Sequence, residues 1–212
     1  MSAYSILTNL PVEHHHQLFL AEAEDVPGRL EFNLALIAGE RPDPPLPVLP
    51  IRLDAKGPRL DYIGIANLRA DLCSQRFVDV LASQQVPFIA YQARVVDPRT
   101  EESLSDRYWV WRPVTIADAI DWERSKYGIH PVFQRRELSE VVLSEECLQA
   151  APPLFSASKY SEWIIRNDVG DQLVHAGITG MEFYPLTMPL YQRAQLGRRI
   201  THGEASPKAT DP

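Results

Sequence analysis

The residues most able to do chemistry lie in Asp118-Ala-Ile-Asp-Trp-Glu-Arg-Ser-Lys-Tyr127. Asp118 and Asp121 stand i, i+3, so on a helix they share a face, where two carboxylates can act as an acid/base pair, hold a cation or receive basic groups from a partner. The plainer alternative is a helical first turn or loop whose carboxylates cap amides, with Glu123 pairing Lys126 or Tyr127. Trp109 and Trp111 project to one side of a strand and supply either core or an exposed binding stripe; core is favoured because Tyr108 and Val110 can take the other face.

Other reactive residues lack partners at useful spacing. His14, His15 and His16 are consecutive, and three imidazoles on a strand do not face one point, so a solvated or partly packed run is expected. His130 and His175 read as structural. Cys73 and Cys147 match no zinc or redox spacing, which points to a reducing compartment while leaving one disulfide open. There is no nucleophile elbow, phosphate-binding loop, zinc-protease motif or glycine-rich dinucleotide loop in the chain. No catalytic residue, cofactor or metal is therefore assigned.

These groups need elements to position them. Ser74 can cap a helix in which Cys73, Phe77, Val80 and Leu81 line one face. Pro87 ends it, and Phe88–Val96 alternates as a half-buried strand. Asp97–Ser103 reads as a turn, and Tyr108–Val114 returns as a second strand. Near the C-terminus the arrangement recurs: Asn167 or Asp168 caps a helix carrying Val169, Leu173 and Ala176, Gly177 stops it, and Met181, Phe183 and Leu186 follow in a strand region. At a constant separation, and without a gap, Phe77 aligns with Val169, Asp79 with Asp171, Leu81 with Leu173, Val86 with Ile178, Ile89 with Met181 and Tyr91 with Phe183. Two related helix-strand units, or convergence of spacing, account for that match.

The rest of the chain divides by composition. Residues 1–40 carry candidate strands at Gln17–Ala21 and Leu30–Ile37, expected to pair in an antiparallel sheet. Residues 41–58 read as a proline-rich linker, since five of the 18 prolines fall at positions 42, 44, 45, 47 and 50. A PxxP ligand for another domain is the alternative. Residues 59–190 form the main domain and residues 191–212 a polar, flexible tail. The expected fold class is α+β, with mixed or antiparallel sheets and a few packed helices.

Asp61-Tyr-Ile-Gly, Cys73-Ser-Gln-Arg-Phe-Val-Asp-Val-Leu, Pro87-Phe-Ile-Ala-Tyr-Gln-Ala-Arg-Val, Tyr108-Trp-Val-Trp-Arg-Pro-Val and Asp118-Ala-Ile-Asp-Trp-Glu-Arg-Ser follow one another in order. Leu154-Phe-Ser, Glu162-Trp-Ile-Ile-Arg-Asn-Asp and Gly177-Ile-Thr-Gly-Met-Glu-Phe-Tyr-Pro-Leu close the series. This order resembles a bacterial family of polymorphic-toxin immunity proteins, immunity family eleven, formerly classed as a domain of unknown function, over roughly residues 60 to 186. The residues before the proline-rich stretch match least. The resemblance implies a non-enzymatic inhibitor, encoded beside a toxin, that binds and neutralises it. Its most distinctive segment stands here as Asp118, Asp121, Glu123 and Ser125. Expected toxin contacts are Asp118, Asp121, Trp122 and Glu123, with Trp109 and Trp111 as anchors.

Composition is compatible with that expectation. The chain has 212 residues, 45% of them hydrophobic and 23% charged, which excludes a disordered or collagen-like polymer. At this length roughly two-thirds of the unfolded surface can be buried without a metal or disulfide. The net charge of -7 argues against a broad nucleic-acid surface and favours encounter with a basic protein. No segment has the apolar length of a membrane span, and the first residues lack a basic leader region, so the expected location is the cytoplasm. An enzyme that reverses a toxin's modification through residues 118–123, and a general interaction module, remain alternatives; oligomeric state is not readable.

Overall fold

A computed structural model describes residues 3–9, 19–23, 28–38, 49–55, 60–65, 68–97, 100, 103, 108–129, 136–157, 162–187 and 198–199. The chain opens with β1 (Tyr4–Asn9), β2 (Phe19–Ala23), α1 (Arg29–Ala38) and β3 (Leu49–Ala55). There follow β4 (Tyr62–Gly64), β5 (Asp71–Ser74), α2 (Gln75–Ser83), β6 (Phe88–Val96), β7 (Tyr108–Pro113) and β8 (Thr115–Ile116). Then come β9 (Lys126–Ile129), β10 (Arg136–Glu140), α3 (Glu145–Ala150), β11 (Leu154–Ala157), β12 (Trp163–Arg166), α4 (Asn167–His175), β13 (Met181–Pro185) and β14 (Arg198–Arg199).

The strands form two six-stranded mixed sheets, ordered β14-β13-β1-β12-β11-β8 and β2-β3-β6-β7-β5-β4, with β9 and β10 as a separate pair. Each large sheet has one parallel pairing, β8 with β11 and β3 with β6, and is otherwise antiparallel. The fold is α+β, as expected.

Alternation along the strands makes three cores. On β7, Tyr108 and Val110 face α1, where they join Phe32 and Leu36, while Trp111 turns to the opposite side. On β12, Trp163 and Ile165 face that same central core and Ile164 faces outward. The central core joins both sheets with α2 and α4 through Phe77, Leu81, Val169 and Leu173. The third core lies on the outer face of the first sheet, where Ile6, Phe155 and Ile164 meet Ile120, Leu138 and Cys147. Both cysteines are free and buried, in different cores. Filling each such core position contributes about 1.5–3 kcal/mol per large apolar side chain.

The two units suspected from sequence extend further than one helix and one strand. β4 pairs with β5 through Tyr62↔Cys73, Ile63↔Leu72 and Gly64↔Asp71, and β11 pairs with β12 through Leu154↔Ile165, Phe155↔Ile164 and Ser156↔Trp163. The second register repeats the first at the separation of 92 residues that lies between Asp71 and Trp163. The same separation relates the backbone bonds Ser74 N→Asp61 O and Arg166 N→Pro153 O, and likewise Val86 N→Leu81 O and Ile178 N→Leu173 O. The gapless alignment then needs one correction. β7 runs between β5 and β6 just as β1 runs between β12 and β13, and their registers place Met181 with Phe88 and Phe183 with Ala90, one residue off the sequence match. The extra residue falls after Ile178, where Gly180 adopts φ +92°.

In the first unit the fourth strand, β7, follows β6. In the second that place is taken by β1 from the start of the chain, paired through Ile6↔Ile164 and Ile6↔Tyr184. Residues 1–40 are therefore not a separate region, because β1 is a central strand of the main sheet.

Other expectations are corrected. Leu30–Ile37 is helix rather than strand: Phe32 and Leu36, four apart, turn inward and Leu30 and Leu34 outward. The strand expected at Gln17–Ala21 is β2, shifted to Phe19–Ala23, and its partner is β3. β3 lies within the proposed linker; β2 ends opposite Ile51, so the proline at position 50 stands beyond its last pairing. Residues 41–48 fall outside the described residues. Arg198 and Arg199 of the expected tail pair with Phe183 and Glu182. Ser74 caps α2 by accepting from the Phe77 amide at 3.2 Å, as expected, whereas Arg166, not Asn167 or Asp168, occupies the N-cap of α4 and makes no side-chain cap bond. Gly177 ends α4 at φ +66°.

Candidate functional site

Residues 117–125 form a sequence of turns, so Asp118 and Asp121 do not share a helical face. The segment is laced to the chain before α3. Asp121 N donates to Val142 O at 2.9 Å, Ser144 N to Ala119 O at 2.9 Å, and Ile120 bridges Leu143. Ser144 Oγ reaches Asp118 O at 3.0 Å, and Val142 N donates to Ser125 Oγ at 3.0 Å. Ser125 is thereby buried and structural.

Asp121 Oδ1 accepts from the amides of Glu123 at 3.1 Å and Arg124 at 3.0 Å, closing a turn of the kind aspartate makes with its own downstream backbone. Arg124 Nη1 stands 3.8 Å from Asp121 Oδ2, a long and mostly exposed pairing. Asp118 and Glu123 are exposed, and half-buried Trp122 packs on the outer core. Lys126 pairs with Glu140 at 2.9 Å. The turn therefore carries two exposed carboxylates and a partly covered indole on a backbone fixed by several hydrogen bonds.

The tryptophans of β7 separate. Trp111 is fully buried, edge-on to Phe77 at 5.2 Å and to Trp163 at 6.4 Å between ring centroids, so the favoured core reading holds for it and the anchor role expected from the resemblance does not. Trp109 is half-buried, and its Nε1 donates to Gln75 Oε1 at 2.6 Å. His175 Nδ1 lies 2.7 Å from Asp171 O at the exposed end of α4. His14, His15, His16 and His130 lie outside the described residues. Among the described residues, no group of three or more His, Cys, Asp or Glu is placed to hold a metal ion.

A second polar group was not singled out by sequence. Asp71 Oδ2 accepts from Tyr62 Oη at 2.5 Å and from Trp163 Nε1, inside the central core. Burial pushes the Asp71 carboxyl up to about 6 against the lowering by those two donors and the charge of Arg112. Burial, then the neighbouring Asp71, holds the Tyr62 phenol well above its ordinary range. Arg112, also buried, donates to Thr115 Oγ1 at 2.7 Å and lies 5.9 Å from the Trp163 ring centroid. Burial brings its guanidinium down to about 10, with Arg69 adding to that effect. The sequence signal for this site is the 92-residue repeat, which carried into the strands aligns Asp71 with Trp163.

The fold and these sites define an α+β protein of two related sheet-helix units with a hydrogen-bonded acidic turn on one outer face. No family model matches the chain, and no curated protein matches it. No helix among the described residues is long and apolar enough to cross a membrane.

Proposed function

We propose that this chain is an immunity protein that binds a cognate bacterial toxin in the cytoplasm and neutralises it by stoichiometric inhibition. The observation that carries this reading is the acidic turn: Asp118 and Glu123 are exposed and Trp122 is half-buried in one short segment, on a backbone that Asp121, Ser125 and Ser144 hold in place. Preorganised charge around an aromatic anchor suits a basic protein surface, because little ordering cost remains to be met on binding. The net charge of -7 favours encounter with such a partner. The resemblance in motif order to toxin-immunity proteins supports the same reading.

The direct test is co-expression with the product of the neighbouring gene. Rescue of growth that saturates at one equivalent of this protein, together with co-purification, is the expected result. Protection at well below one equivalent would instead indicate turnover, and absence of both rescue and complex would remove the proposal.

A further inference from the structure

Asp71 has no role in the acidic turn. The residue is about nine-tenths buried, with 9% exposure, yet both of the side chain's hydrogen bonds arrive at Oδ2. Among the described residues, no hydrogen bond or ion pair reaches Oδ1. The guanidinium of Arg112 acts on Asp71 through its charge alone: it donates to Pro113 O and Thr115 Oγ1 and lies against the face of Trp163, and its Nη1 is buried without a hydrogen-bond partner among the described residues. Beside the carboxylate is a cavity of about 90 Å³, walled by Leu7, Leu68 and Trp163, with half-buried Glu162 and exposed Arg69 also lining it. A water takes up about 30 Å³ in the liquid, so the space suits three waters or a ligand of about five heavy atoms.

We infer that this cavity binds a primary alkylammonium group, its nitrogen on Asp71 Oδ1 and its carbon chain along Leu7, Leu68 and the Trp163 indole. A carboxylate with one oxygen unengaged among the described residues gains most from a compact cation with several donors, and an ammonium carries three on one atom. The indole adds attraction for positive charge and the leucines accept the methylenes. Anions meet two carboxylates, Asp71 and Glu162, in the cavity lining. Arg69 opposes a second positive charge, so monoamines are favoured over diamines. The raised proton affinity of Asp71 fits a negative charge that its present neighbours compensate incompletely. This inference does not rest on the toxin reading, since a free amine or a lysine side chain of any bound protein carries the same group.

The test is a titration of the full chain with n-butylammonium chloride at neutral pH, following the indole Nε1–H resonance of Trp163 by NMR, with sodium chloride and tetramethylammonium as controls. A saturable shift with millimolar affinity is expected, weakened at least about tenfold in Asp71→Asn. Glu162→Gln, which leaves the buried cluster intact, should weaken binding to a lesser degree and serves if Asp71→Asn does not fold. A parallel titration with Nα-acetyl-lysine amide separates the sources: equal or tighter binding identifies a protein lysine, and binding of butylammonium alone identifies a free amine. Absence of a saturable shift up to about 50 mM, or identical binding by wild type and both variants, overturns the inference.

Discussion

Trp163 Nε1 donates to Asp71 Oδ2 across the central core, and the two residues occupy the same position in the two units of the fold, opposite Ser156 and Gly64 on the neighbouring strands. The two sheets thus meet at equivalent points that carry unlike, complementary groups. Trp163→Phe keeps a ring in the core but removes the donor, leaving the carboxylate with Tyr62 alone. A loss of about 1–3 kcal/mol is expected in urea unfolding, with little change in the denaturant slope. A variant as stable as wild type would show that the bond holds nothing together.

The same carboxylate makes stability depend on pH. Its folded affinity for protons is raised from 3.8 to about 6, so the folded state binds a proton more tightly than the unfolded chain. That contribution is complete below pH 3.8, is lost as pH rises through about 6, and amounts to at most about 3 kcal/mol. Tyr62, Cys73 and Arg112, which share its surroundings, do not change charge in this window. The stability of wild type relative to Asp71→Asn should therefore fall between about pH 4 and pH 6.5 and be flat above it. A difference independent of pH would mean that Asp71 does not titrate there.

Gly180 and Gly177 have positive φ for different reasons, and substitution separates them. A Cβ on Gly180 would lie 2.2 Å from the carbonyl oxygen of Tyr62, at φ +92°, where backbone meets backbone and cannot yield. A Cβ on Gly177 meets only the guanidinium end of Arg76 at 3.1 Å. Gly180→Ala should cost about 3 kcal/mol or more and Gly177→Ala about 1 kcal/mol, read from calorimetric melting. Equal effects would show that backbone strain alone matters at both sites.

What the sequence conveyed and what it concealed follow from the range of the interactions involved. α2, β6 and β7 were legible because Ser74, Pro87 and the alternation from Ile89 to Val95 act locally. α1 was not, because Leu30, Phe32, Leu34 and Leu36 alternate like a strand, and only the packing of Phe32 and Leu36 beneath the second sheet selects the helix. β1 was hidden for another reason: its partners Ile164 and Tyr184 lie more than 150 residues away. In the acidic turn the loop reading holds, because Asp121 caps two amides, whereas the shared helical face of Asp118 and Asp121 is not formed, since Val142 and Ser144 rather than local helical bonds shape the backbone.

That distant pairing gives a prediction about β1. Removing the first ten residues strips a central strand and exposes two unpaired edges, β12 and β13, with Ile6 and Leu7 missing from the cores. The truncated chain should lose cooperative unfolding, and a synthetic peptide of residues 1–10 should restore it when added in trans. Cooperative melting of the truncated chain near the wild-type temperature would show that the strand is dispensable.

The acidic turn separates recognition from folding more sharply than a single charge reversal at Asp121 would. Asp121 accepts two backbone amides, so Asp121→Lys should lower stability by about 1 kcal/mol whatever it does to a partner. Asp118 and Glu123 are exposed, and the pair Asp118→Lys with Glu123→Lys should leave the melting temperature nearly unchanged. If the turn receives a basic toxin, that double variant should associate at least about tenfold more slowly at low salt, and the deficit should shrink as ionic strength rises, because screening acts on the encounter of exposed charges. Stopped-flow association at two salt concentrations distinguishes this from loss of packing, which would accelerate dissociation and persist in salt. Unchanged kinetics in a folded double variant would place the toxin elsewhere on the surface and reduce the charge of this turn to a contribution to solubility.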